Sequence, residues 1–178
     1  MAAASRRLVI DASVASAASS KEHPVSIACR DALAAVLNTC HRMVMTNDIS
    51  EEWGRHQSGF SLRWRRSMNA KKKIIRVEVA RNDALRARLA ELQLDRQTRE
   101  NVLKDVHLVE AALATDHAIL SLDRSARIGF KLATKGIALL RPLVWLVPSS
   151  PEHETVEWLE RGAVPDKKRT LGSEEGID

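Results

Sequence analysis

The sequence predicts an α/β domain built on a largely parallel sheet. Three observations carry that expectation. Short unbroken apolar runs, Leu8-Val9-Ile10 and Met43-Val44-Met45 among them, have the length of strands buried on both faces. The stretches between such runs place apolar residues at helical spacing, and strands that alternate with helices point to a parallel sheet. A chain of 178 residues with 44% hydrophobic content makes one domain that needs no disulfide or metal to hold its core.

Residues 7–10 form the first strand, and Asp11 follows it directly. Pro24 opens a helix that runs to about Asn38, because proline's fixed φ and missing N–H suit a first turn. Ile27, Leu33, Val36 and Leu37 fall at helical spacing within it. Residues 42–45 are the second strand. Thr46, Asn47 and Asp48 are helix-start residues, and Ile49 and Trp53, four apart, share one face of the next helix. Beyond it Phe60, Leu62 and Trp64 are interleaved with Arg63, Arg65 and Arg66, a pattern that fits helix or loop. Residues 77–94 read as a helix with Leu85, Leu89 and Leu92 on one stripe, and residues 97–115 as one or two helices, the second over 105–113. Asp116 and His117 turn the chain into a strand over 118–122 that ends at Asp123. A helix or loop runs through 130–136, with Gly136 as a stop, and 137–140 and 143–147 are candidate strands. At Pro148 the composition shifts. A Pro-Ser-Ser-Pro linker leads to a short helix over 152–161, and residues 165–178, almost without apolar side chains, read as disordered. The expected organisation is a domain over 1–147 and a C-terminal extension over 148–178.

Composition narrows the function classes. No run of 18 apolar residues is present, so no membrane span is expected. The apolar stretch after Arg6 and Arg7 stops at Asp11, too soon for a signal peptide. Cys29 and Cys40 form no CxxC pair and read as reduced thiols, which with the missing signal gives an expected cytoplasmic location. An aromatic content of 3% argues against a recognition surface of stacked rings. No P-loop, GxGxxG or Ser-His-Asp order occurs. The net charge of +5 comes from 28 Lys and Arg against 23 Asp and Glu, and it is unevenly spread. Between Arg55 and Val77 lie Arg55, Arg63, Arg65, Arg66, Lys71, Lys72, Lys73 and Arg76, with no acid among them. Without those eight, 20 basic residues face 23 acidic ones, so a mildly acidic body carries one strongly basic segment.

Two strands end in aspartate, Asp11 and Asp123. Ligands of open α/β sheets bind at the carboxyl ends of strands, so the pair suggests a shared site. Glu51 and Glu52 follow the second strand, and Asp105 borders the apolar run Val106, Leu108, Val109. Taken singly, each has a plainer role. Asp11 and Asp123 are good helix caps, Glu51 and Glu52 suit a helix first turn, and Asp105 has Lys104 and Arg99 as partners. His107 and Glu110, three apart, have no second pair to complete a metal site, and Asp116 reads as a turn residue.

In combination these motifs resemble the PIN-domain ribonucleases. Leu8-Val9-Ile10-Asp11-Ala12-Ser13 matches that family's opening strand, Asp, any residue, Ser or Thr. Thr46-Asn47-Asp48-Ile49-Ser50-Glu51-Glu52-Trp53 matches its strand, polar residue and Glu-bearing helix, with Glu52 the better-placed acid. Asp105 before an Ala-rich helix and Ile119-Leu120-Ser121-Leu122-Asp123 match its third motif, with Ser121 where Thr is usual. The resemblance covers about residues 7–147. It implies a PIN-like three-layer α/β/α sandwich and an acidic pocket that binds Mg²⁺ or Mn²⁺ and hydrolyses RNA phosphodiesters. Asp11, Glu52, Asp105 and Asp123 would be catalytic and metal-binding there. Ser13 and Ser121 would fix carboxylate orientation, or else serve as small polar turn residues. Many bacterial members are VapC-like toxins of type II toxin–antitoxin pairs, which implies a cognate antitoxin and a homodimer as partners.

The basic segment follows the Glu52 helix, so its start is expected near the mouth of that pocket. It is expected to carry the RNA backbone with Trp64 as a stacking surface, against the plainer reading of a solvated face. The competing function is a PIN-fold RNA-binding or scaffold protein of little activity. A phosphotransfer enzyme of similar layout fits less well, because haloacid-dehalogenase-type enzymes carry Asp-x-Asp where this chain has Asp11-Ala12-Ser13.

Overall fold

A computed structural model describes residues 4–174. Five strands, β1 (Arg7–Ile10), β2 (Arg42–Met45), β3 (Ile74–Arg76), β4 (Ala118–Leu120) and β5 (Val144–Leu146), form one sheet in the order β3-β2-β1-β4-β5. Every pairing is parallel. The helices are α1 (Ala12–Ala17), α2 (Pro24–Asn38), α3 (Asn47–His56), α4 (Gly59–Ala70), α5 (Asp83–Glu91), α6 (Arg96–Leu113), α7 (Arg124–Ala133) and α8 (Thr155–Glu160). They pack in two groups, α1 to α4 with α8, and α5 to α7, the two outer layers of an α/β/α sandwich. None of the described helices is long and apolar enough to cross a membrane.

Burial explains why the apolar runs become inner strands. Leu8, Val9, Ile10, Met43, Val44, Ile119 and Leu120 are all solvent-free, as strands covered on both faces must be. Each such side chain contributes about 1.5–3 kcal/mol of transfer free energy. The topology then places the site. The chain lays β1, β2 and β3 outward in one direction, then returns across the sheet to lay β4 and β5 on the other side of β1. The strand order therefore reverses between β1 and β4, and the crevice outside their carboxyl ends is where open α/β sheets bind ligands. Ile10 pairs with Leu120, and the Asp11 amide donates to the Leu120 carbonyl at 2.9 Å, so Asp11 and Ser121 leave the sheet side by side.

Several expectations need correction. The basic segment is neither one helix nor a loop. Ser58 caps α4 by accepting from the Ser61 amide, Lys72 makes a left-handed turn with φ 56°, and β3 follows on the sheet edge. Trp64 offers no stacking surface. It is buried, donates its indole N–H to the Leu33 carbonyl and lies against Trp53 with ring centres 5.7 Å apart. The helix expected over 77–94 spans only 83–91, because the Asn82 side chain caps it by accepting from the Leu85 amide. Residues 96–113 form a single helix capped by Asp95, which puts Asp105 in mid-helix rather than at a start. The helix after β4 begins at Arg124, and residues 138–140 make a 3-10 turn instead of a strand.

The C-terminal extension packs on the domain. α8 lies on α2, and His41 ties it down by donating from Nε2 to the Leu159 carbonyl while Nδ1 accepts from the Arg6 amide. Beyond it, residues 165–174 are ordered against the body rather than disordered. Thr170 bridges to Val144, the Leu171 amide donates to Leu143, Leu171 is buried, and Arg169 pairs with Asp166 and Glu154. Leu171 and Arg169 make contacts that a composition read as disordered does not reveal. Residues 175–178 of the expected tail lie outside the described residues.

Candidate active site

Asp11 stands at the helix-capping position of α1, yet its side chain caps nothing. Its Oδ2 instead accepts from the Ser13 hydroxyl and from the Ser121 hydroxyl, the latter at 2.8 Å. Each serine in turn accepts a backbone N–H from the β4 exit, Leu122 to Ser13 and Asp123 to Ser121, both at 3.1 Å. Two short hydrogen-bond chains thus lock the Asp11 carboxylate to the end of β4 and, among the described residues, leave Oδ1 without a bond. Asp123 behaves differently. Its Oδ1 accepts from the Ala126 amide and caps α7, while Oδ2 remains for the pocket.

Trp53 places the third acid. Its indole N–H donates to the Ile10 carbonyl at 2.8 Å, which pins α3 to the end of β1 and sets Glu52 at the pocket wall. Glu52 Oε2 is 3.2 Å from His107 Nε2, and the other ring nitrogen of His107 is 3.1 Å from the Lys104 carbonyl. Asp105 reaches the same pocket from the middle of α6, and it is almost wholly buried. Burial, with help from the charges of Asp11 and Asp123, pushes its carboxyl up to about 7, and the Lys104 ammonium opposes that rise. Lys104 Nζ lies 3.7 Å from Asp105 and 3.8 Å from Asp123. Asp105 first, then Asp123, Asp11 and Glu52, hold that ammonium above the usual lysine range against its own partial burial.

Asp11, Glu52, Asp105 and Asp123 therefore line one cavity of about 340 Å³, together with Ser13, Ser16, Arg55, His56 and Lys104. A second cavity of about 220 Å³ adjoins it through Glu52, Arg55 and Lys104, and continues to Asp48, Glu51, Arg86 and His107. A larger cavity, about 680 Å³, lies away from these acids between α7 and residues 171–174. Its walls combine the apolar Ile128, Leu132 and Leu171 with Lys131, Lys135, Arg141 and Glu174. The carboxyl oxygens are hard donors that suit Mg²⁺ or Mn²⁺, and the Lys104 ammonium stands in for a cation among them. Among the described residues no three of them are already drawn together as a ligand set.

The other candidates separate clearly. Glu51 is exposed and pairs with Arg55 four residues on. Glu110 is buried and pairs with Arg86, and Asp116 pairs with Arg7 at the amino end of β1. Of the eight basic residues, Arg55 lines the acidic cavity, and Arg65, Arg66 and Arg76 line a separate groove of about 260 Å³. Arg65 donates to Ser50, and burial together with the neighbouring Arg76 lowers its guanidinium pKa. Arg63, Lys71 and Lys72 are exposed. Lys73 is engaged within the fold. Its Nζ donates to the carbonyls of Val36, Leu37 and Thr39 at 2.6–2.8 Å, capping the C-terminal end of α2.

The sequence offers Lys104 only as a partner of Asp105 and His107 only as half of an incomplete pair, and it singles out neither Ser16 nor His56, which also line the cavity. Helical spacing is the signal for Lys104 and His107: three apart on α6, they flank Asp105, and Lys104 lines the acidic cavity while His107 lines the one beside it. No family model matches the chain, and neither a curated protein nor a solved structure matches it.

Proposed function

We propose that the protein is a metal-dependent endoribonuclease of PIN type. The observation that carries this reading is the single cavity at the β1/β4 switch point lined by Asp11, Glu52, Asp105 and Asp123. Two ionised carboxylates about 5 Å apart repel by roughly 3 kcal/mol at an effective dielectric of 20, so such a gathering needs protons or cations. Asp105, with its carboxyl pushed to about 7, takes up part of that load as a proton. Asp11, Asp105 and Asp123 would hold a Mg²⁺ or Mn²⁺ ion, with Glu52 beside it. A bound ion of this kind supplies a water of lowered pKa and positive charge against the phosphate. Asp11, with Oδ2 fixed by two serines, presents Oδ1 in one orientation. Glu52, with His107 behind it, orients a water at the cavity wall. Arg55 at the rim and the Arg65, Arg66, Arg76 groove carry the phosphate backbone of the RNA.

The likeness of the motifs to VapC-like toxins is the ground for a further reading, the toxin of a toxin–antitoxin pair held by an antitoxin and acting as a homodimer in the cytoplasm. The alternative, a PIN-fold RNA binder of little activity, is favoured by one feature: Lys104 already occupies the space between two of the acids. Incubation of the purified protein with RNA separates the two. The nuclease reading expects cleavage with Mg²⁺ or Mn²⁺ that EDTA abolishes. Binding without cleavage at saturating metal would select the alternative.

A further inference from the structure

Lys104 has a role that the nuclease reading does not need but the geometry assigns. We propose that it is a tethered counter-ion, which a divalent ion must displace, so that this side chain sets the metal concentration at which the pocket fills. The inference rests on the metal-dependent reading above.

The ammonium bridges carboxylates from two elements, Asp105 on α6 and Asp123 after β4, at 3.7 and 3.8 Å. Both distances exceed hydrogen-bond length, so charge rather than fixed geometry holds the group. The two sides of the pair are unequal. The Lys104 side chain is 70% exposed and that of Asp105 only 7%. The carboxylate is fixed by the fold and the ammonium is free to leave on its flexible stem. It also has somewhere to go. Lys104 lines both cavities, and the second one carries Asp48 and Glu51. Rotation about the stem would trade the pair Asp105 and Asp123 for Asp48 and Glu51 on that wall, where Arg55 is engaged by Glu51 and Arg86 by Glu110, while the backbone of α6 stays in place.

A charge tied to the pocket by its own chain acts at high effective concentration, so it competes with an ion in solution without any change in the ligand set. A divalent ion prevails because it brings twice the charge to the same oxygens. The pocket is thereby neutralised before metal arrives, and its metal affinity is lower than the carboxylates alone would give.

The test is direct Mn²⁺ binding, by calorimetry or by loss of the free-ion paramagnetic resonance signal, to the full chain and to K104M and K104R. Methionine keeps the stem and removes the charge. The expected result is Mn²⁺ binding about tenfold tighter in K104M, equivalent to about 1.4 kcal/mol, with K104R close to the parent. A melting experiment reads the same competition through the fold. K104M should melt lower than the parent in EDTA and gain more from Mn²⁺. If the parent binds Mn²⁺ and K104M binds it equally or more weakly, the counter-ion role is wrong and the nuclease reading survives. If neither protein binds Mn²⁺ at millimolar concentration, both fall together.

Discussion

The acidic cavity and the basic segment beside it are built in opposite ways. In the cavity every acid has a position fixed by the sheet or by a buried helix. Asp11 and Asp123 leave adjacent strands, Asp105 is embedded in α6, and Glu52 is set by the Trp53 anchor. In the basic segment the charges share only a stretch of chain. Arg55 turns to the cavity, Arg65, Arg66 and Arg76 to a groove, Arg63, Lys71 and Lys72 to solvent, and Lys73 to the carbonyls at the end of α2. Position relative to a strand end specifies where a side chain goes. Membership of a charge run does not.

The largest expected effect falls on the cavity. Asp11→Asn keeps the hydrogen bonds to Ser13 and Ser121 within reach but removes the charge. It should lower RNA cleavage by at least about 100-fold with little change in melting temperature. Full activity in this variant would remove Asp11 from the site. Next comes the member of the basic run that the geometry makes structural. Lys73→Met leaves three carbonyls at the end of α2 without their donor and should cost about 1–3 kcal/mol in denaturant unfolding, with RNA affinity unchanged in the surviving fold. The opposite pattern, intact stability and weakened RNA binding, would place Lys73 among the residues that hold RNA after all.

A smaller effect follows from Asp105. Its carboxyl is raised in the folded protein, so the native state binds the proton more tightly than the unfolded chain does. Without metal, this group's contribution is fully present below the ordinary carboxylate pKa. It is lost as pH climbs from about 4 to about 7. Asp105→Asn should flatten that fall and stabilise the metal-free protein at pH 8 by about 1–2 kcal/mol. A steeper pH dependence would contradict the assignment. Smallest is the groove. Changing Arg66 and Arg76 to Gln should reduce the salt slope of single-strand RNA binding by about 0.7 for each phosphate no longer neutralised, and an unchanged slope would move the RNA path elsewhere.

The same contrast explains what could be read from the sequence. β1, β2 and β4 are legible because inner parallel strands must be continuously apolar, and the acids at their ends follow from topology. β3 is an edge strand, Ile-Ile-Arg and only half-buried, so it hides inside the charge run. Trp64 and Lys73 mislead for one physical reason. Their partners, the Leu33 carbonyl and the end of α2, lie more than 30 residues away in the chain, and only packing brings them near. The pairing of Lys104 with Asp105 is legible in the sequence, but the other contacts of Lys104 and His107 are not. The spacing that joins them is local, but their partners Asp123 and Glu52 come from other elements. The C-terminal segment is held by the burial of Leu171, the Thr170 bridge and the Arg169 ion pairs, which a count of apolar residues does not register.

The central claim is that the four carboxylates form one divalent-ion site. Anomalous scattering from crystals soaked in Mn²⁺ tests it most directly. The account predicts a peak within coordination distance of Asp11, Asp105 and Asp123, with the Lys104 ammonium moved out from between the last two. Crystals saturated with Mn²⁺ that show no peak in this cavity, and Lys104 still between Asp105 and Asp123, would contradict it.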